Sequence, residues 1–234
     1  MKIDTSIKRR NLPDHFLEHL SFTEIDQIKF GVFGSTFIMI DLLMILPLLY
    51  PTHTFTAWLT IPLISFINIW AMSMLLRKAN TLQFEFIIFI ACSGAVASFC
   101  YFVFVQKMAY IGMNIKTPAF LIVSLVFYIS FLLFQLWFYK KKYSSLSSKF
   151  TNFKDLPWHY KILSIAAPLG YIVAHYFINN SISAMNSILS IIYYMFSLFF
   201  TYVSVKFFHR YFFMKANQNF LNLSKEHRKH THKK

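Results

Sequence analysis

Asp41, Asn68 and His175 are the side chains most able to do chemistry, because each falls inside a long apolar run of the 234-residue chain. A carboxylate at that depth is costly: insertion scales place an Asp at mid-helix at about +2.5 to +3.5 kcal/mol. It therefore has to meet a partner or water. At ~1.5 Å per residue, Asp41 lies about 16 Å beyond Phe30 and His175 about 21 Å beyond Lys161. On the same scale Asn68 lies about 12 Å from the end of its own run. The three reach similar depths, so they can meet. Such a cluster has the make-up of a proton relay, but also of a polar contact that fixes helix packing or docks another protein, and packing or docking is the expected role. Glu85 stands at the mouth of a further run, close to water and to the positive end of its helix.

A second pattern, His15-Phe-Leu-Glu18-His19, fits H-x-x-E-H, in which two imidazoles share a helix face and the Glu serves as base. Zinc chemistry also needs a third ligand and a cleft, which a short arm does not supply. A solvated amphipathic arm is expected there, with no metal and no cofactor. The sequence carries no phosphate-cradling glycine loop, nucleophile elbow or ladder of haem ligands, so no enzymatic activity is expected.

The elements that must position these groups follow from composition. The chain is 56% hydrophobic, 20% aromatic and 14% charged, with a mean hydropathy of +0.49. A soluble domain carries about 25% charged residues, and a disordered chain has low hydrophobicity, so both classes are excluded. Six apolar runs stand out: Phe30–Tyr50, Phe55–Leu76, Phe84–Gln106, Pro118–Tyr139, Ile162–Ile178 and Ile182–Val205. Each approaches the roughly 20 residues that span a bilayer. They are continuously apolar rather than alternating, which predicts helices and not a barrel. The fold class expected is an all-α, polytopic bundle of about six transmembrane helices. The stretch ahead of the first run lacks the basic start and cleavage site of a signal peptide, so the first helix is expected to be retained.

Orientation follows from the basic residues, which favour the cytoplasmic side. All but Lys107 and Lys116 of the 23 Lys and Arg fall in segments that share one side of a six-helix topology. Both termini are expected in the cytoplasm, the whole lying in the plasma membrane. The organisation read is a cytoplasmic amphipathic arm over 1–29, a six-helix domain over 30–208 and a basic tail over 209–234. In the arm, Pro13 suits a first helical turn and Ser21 with Glu24 forms a capping pattern for a second short helix. Phe16, Leu17, Leu20, Ile25 and Ile28 make an apolar face expected to lie on lipid. Beyond the last run, KFFHRYFFMK keeps helical spacing.

Lys140, Lys141, Lys142, Lys206, Arg210 and Lys215 are expected to meet anionic headgroups. The net charge of +14 follows membrane topology rather than a nucleic-acid signature, so nucleic acid is not an expected partner. Within ACSGAVASFC, Ala91, Gly94, Ala95 and Ser98 give the small-residue spacing that lets helices approach closely, marking a packing seam. Cys92 and Cys100 lie about 12 Å apart along one helix, beyond the ~7 Å a disulfide spans.

Abundant Phe with few Gly points to an A/T-rich genome. In size and composition the chain resembles small polytopic proteins of low-GC Gram-positive bacteria, such as bacteriocin or toxin immunity proteins and accessory subunits of secretion systems. Short external loops, no catalytic constellation, no internal repeat and one isolated deep carboxylate lead to the expectation of a protein acting by contact with another membrane protein, or with a second copy, inside the bilayer. The alternative is a small transporter or permease subunit with its polar centre at Asp41 and His175. Pro168 and Gly170 interrupt the shortest run without a matching break elsewhere, which counts against an inverted-repeat transporter.

Overall fold

The computed structural model describes residues 3, 12–78, 82–143 and 182–221. Of these, 86% are helical and none is in a strand. A short helix, α1 (Asp14–Leu20), leads into α2 (Ile25–Phe33), which passes without a break through a π-helical stretch (Gly34–Leu42) into α3 (Leu43–Leu49). Then follow α4 (Thr54–Leu76), α5 (Gln83–Lys107) with a π-helical turn (Met108–Gly112), α6 (Ala119–Lys142) and α7 (Ile182–Ala216). Five helices are long and apolar enough to cross a bilayer: Gln27–Leu49, Thr54–Leu76, Gln83–Gly112, Ala119–Lys142 and Ile182–Ala216. The chain is thus an all-α bundle of membrane-protein character. The expected run Ile162–Ile178, with His175 in it, lies outside the described residues.

The centre of the bundle is the antiparallel pair of α5 and α7. Ser98 meets Ser197 and Thr201 near the middle, and the Asn186 amide donates to the Gly112 carbonyl at one end (2.8 Å). The α7 face turned to α5 explains the fit: Asn186, Ser190, Tyr193, Ser197, Thr201 and Ser204 are buried and fall at steps of three or four residues, the spacing of one helix face. Most are small or hydroxylated, so the backbones approach closely and the hydroxyls find carbonyls. α6 runs alongside α7 in the same direction, held by the Tyr194 hydroxyl donating to the Ser124 carbonyl (2.8 Å) and by Gln106 of α5 donating to Ser124 Oγ (3.0 Å).

The first hairpin, α2 to α4, packs on another side of α5. Lys107, 4% exposed, turns its ammonium onto the Pro47 and Leu48 carbonyls at the end of α3. Those carbonyls carry the partial negative charge of a helix C-terminus, so a lysine is held there although no carboxylate faces it among the described residues.

Three expectations are corrected here. First, Phe16, Leu20 and Ile28 of the arm's apolar face are buried in protein rather than laid on lipid. Phe16 and Leu20 are fully buried in a second core with Tyr139 and Tyr143 of α6 and Val205, Phe213 and Met214 of α7, while Ile28 enters the main core. Protein surface is available because α7 continues past Val205 to Ala216, as the helical spacing of KFFHRYFFMK implies. Second, Ser21 does not cap a separate helix: its hydroxyl donates back to the Glu18 carbonyl (2.8 Å), closing α1. Glu24 occupies the cap position of α2 without a side-chain capping bond. Third, Ala95 is exposed, whereas Ala91, Gly94 and Ser98 are buried on the seam. It is one step past Gly94 around the helix, where the surface turns away from α7.

Candidate functional site

Asp41 lies in the π-helical stretch and Asn68 in α4, and the structure brings them together: Asn68 Nδ2 donates to Asp41 Oδ1 at 2.9 Å and also to the Ile64 carbonyl at 3.2 Å. Both side chains are half-buried. Asp41 is about 12 Å from the Leu49 end of its helix and Asn68 about 12 Å from the Leu76 end of α4, so the pair sits within the apolar depth of the bundle. Among the described residues this is the one hydrogen bond that Asp41 accepts. Asn68 Oδ1 is buried with no partner among them. The surroundings are exposed and apolar: Ile38, Leu42 and Ile45 beside Asp41, Phe66 and Ile69 beside Asn68. A carboxylate with capacity to spare therefore opens onto a hydrocarbon-like surface. π-Helical segments are uncommon and recur at functional sites, and this one carries the carboxylate.

Glu85 is engaged otherwise. Its Oε1 accepts from Trp70 Nε1 (2.9 Å) and forms an ion pair with Arg77, so it ties the end of α4 to the start of α5. Ser98 is the hub of a polar knot on the seam. It bonds the Ser197 carbonyl and the Tyr128 hydroxyl, both at 2.8 Å, and the Thr201 hydroxyl at 2.6 Å; Ser197 Oγ donates in return to the Ser98 carbonyl. An ideal Cβ on Gly94 would approach the Ser204 nitrogen to 3.1 Å and the Phe200 carbonyl oxygen to 3.2 Å, which is why glycine stands there. A groove of about 340 Å³ between α6 and α7 is lined by Val123, Phe127, Ile191, Tyr194 and Met195 with the Ser124 and Ser190 hydroxyls at its edge. Its lining suits hydrocarbon, not a polar solute.

The chain matches no known protein family, no characterised protein and no solved structure.

The basic residues gather at the end of the bundle where α1 docks. Lys140, Lys141 and Lys215 are exposed; the Lys141 ammonium lies 4.9 Å from the Trp137 ring and that of Lys215 6.0 Å from Tyr211. Lys142 and Lys206 are half-buried. Arg210 departs from the expected headgroup role: its Nη2 donates to the Ser21 carbonyl at 2.6 Å, fastening the arm to α7.

Beside it lies a cluster that the H-x-x-E-H reading passed over. His19 Nδ1 is 3.0 Å from the Tyr143 hydroxyl and its Nε2 is 3.3 Å from His209 Nδ1. The His19 ring stacks on Tyr143 with centroids 4.3 Å apart. Burial, followed by the nearby His209, Arg210, Lys206 and Lys142, holds the His19 imidazole down to about 2. Burial also pushes the Tyr143 phenol above its usual range. Glu18, the would-be base of the motif, is exposed, and no group of three metal-binding side chains occurs among the described residues. A sequence signal for the cluster exists in hindsight: His209 and Phe213 are one turn apart on the continuation of α7, as His15 and His19 are on α1.

Proposed function

We propose that this is a multi-pass plasma-membrane protein, with the arm end in the cytoplasm, that acts by docking a transmembrane helix of another membrane protein at the Asp41–Asn68 pair. An accessory role in a secretion system, or immunity to a membrane-active toxin, fits such an action. The observation that carries the reading is the open carboxylate. Asp41 keeps acceptor capacity that Asn68 does not use, at a depth where water is scarce and an unsatisfied polar group costs several kcal/mol. The complement is a helix that offers a donor, such as an amide, hydroxyl or cation, flanked by apolar side chains that cover Ile38, Leu42 and Phe66. Other deep polar groups, the Ser98 knot, the Gln106–Ser124 pair and Asn186, hold helices of this chain to one another, and the groove between α6 and α7 is apolar. These features favour contact over transport.

The test is co-isolation in mild detergent from the native host, wild type beside Asp41→Asn and Asp41→Ala. A membrane protein recovered in fixed ratio with wild type and lost from Asp41→Ala, with the bundle still folded, is the expected outcome. If wild type instead carries protons or a solute across proteoliposomes and Asp41→Asn abolishes that flux, the protein is a transporter and the docking reading is wrong.

A further inference from the structure

We propose that the arm is a pH-operated latch, with α1 seated between the ends of α6 and α7 while His19 is neutral and released when His19 takes up a proton. This inference stands independently of the docking site.

The seat is built from three elements. Phe16 and Leu20 are fully buried and His19 is 4% exposed, enclosed by Tyr139 and Tyr143 of α6 and by His209 and Phe213 of α7. Polar contacts close it: Arg210 to the Ser21 carbonyl at 2.6 Å, and the backbone N–H of Ile3 to Asn217 Oδ1 at 2.6 Å. Neutral His19 satisfies both neighbours in either tautomer, donating from one ring nitrogen and accepting at the other. A second proton does not break those contacts outright, because the Tyr143 oxygen and His209 Nδ1 can both accept. What opposes it is the setting. The arm contributes His15 and Glu18, α6 contributes Tyr139, Tyr143 and Lys142, and α7 contributes Tyr202, Lys206, His209 and Arg210. Of these described groups Glu18 alone favours an imidazolium, and it is an exposed residue, screened by water. The three cations Lys142, Lys206 and Arg210 all disfavour it.

The sign follows directly. In a free arm His19 titrates near 6.5, whereas in the seat it stays neutral down to about 2. The seated state therefore has its full stability above pH 6.5. Below that it loses a factor of about ten in the docking equilibrium per pH unit for the proton His19 takes up on release, and more where His209, which His19 covers in the seat, takes up a second. A released arm carries Phe16, Leu17 and Leu20 on one face, and such a face binds the surface of a bilayer.

The experiment is a distance measurement between spin labels on the full chain in nanodiscs, at Pro13→Cys and Gln218→Cys, with Cys92 and Cys100 replaced by Ser. It is run from pH 8 to 4.5. Because a tightly seated arm would hide the slope, it is repeated in Phe16→Leu and Phe16→Ala, using whichever leaves the arm partly released at pH 8. The expected result is a long-distance population whose ratio to the short one rises at least about tenfold per unit below pH 6.5, and a slope smaller by about one decade per unit when His19→Gln is added. A ratio constant with pH in the weakened background, or an unchanged slope in His19→Gln, would overturn the latch.

Discussion

The α5–α7 seam and the α2–α4 hairpin cross the same slab of the bundle, yet they treat their polar groups in opposite ways. On the seam 67% of the most apolar stretch of α5 is buried, and each hydroxyl of the Ser98 knot finds a carbonyl or another hydroxyl of the same bundle. In α4 the corresponding share is 28%, and among the described residues Asp41 accepts one bond while apolar side chains around it stay exposed. The seam is closed on itself; the hairpin is open. Closed polar contacts hold a bundle together, and an open one is where the docking reading seats a second molecule. Stability and recognition are therefore expected to separate on this chain, and substitutions can show whether they do.

The largest effect on the fold is expected at the seam. Gly94→Leu forces side-chain atoms into the Ser204 and Phe200 backbone, and overpacking of this kind costs about 3 kcal/mol or more. Thermal unfolding in detergent should show it as a large drop in midpoint, and a midpoint within a degree or two of wild type would mean the seam is not the core. Ser98→Ala comes next. It removes the hub of the knot and should cost about 1.5 kcal/mol, near the upper end for polar contacts between membrane helices.

Asp41→Asn should scarcely register on the same melting curve, at about 0.5 kcal/mol, an average figure for one interhelical polar contact. It should nonetheless remove most of the docked partner. An Asp41 variant as destabilising as Gly94→Leu would erase the distinction between the two regions. Glu85→Gln is the mildest, at about 0.5 kcal/mol or less, because its ion pair with Arg77 is partly exposed and surface pairs contribute little. A melting curve at low and high salt should show even that small difference shrinking as salt rises.

Much of this organisation was legible in the sequence because bilayer-length apolar runs are a strong signal. The runs beginning at Phe30, Phe55, Phe84, Pro118 and Ile182 each lie in a helix of the structure, with ends shifted by a few residues except at α7. The Asp41–Asn68 meeting was legible as well, since depth alone brings two polar residues on adjacent antiparallel helices to one level. What depth does not encode is which way a helix is rotated. Ala95 fits the small-residue spacing yet turns out of the seam, and Ser197 and Thr201 were indistinguishable by composition from surface hydroxyls. The seat of the arm is hidden from the sequence for a related reason. An amphipathic face of Phe16 and Leu20 looks the same whether it meets lipid or the rings of Tyr143 and Phe213, and the choice depends on α7 extending beyond the apolar run. The burial of Lys107 has no sequence signature, because its seat is made of backbone carbonyls.

Photo-crosslinking from the surface around Asp41 shows whether a partner helix sits there. A photoreactive amino acid is placed in turn at Leu42 and Ile45, both exposed beside the carboxylate, and at Val126 of α6 as a remote exposed control. Illumination is carried out in membranes of the native host. One discrete protein adduct is expected from Leu42 and Ile45, absent at Val126, and lost when Asp41→Ala is added to a chain that still folds. Adducts with lipid alone at all three positions, or a protein adduct indifferent to Asp41, would contradict the docking reading.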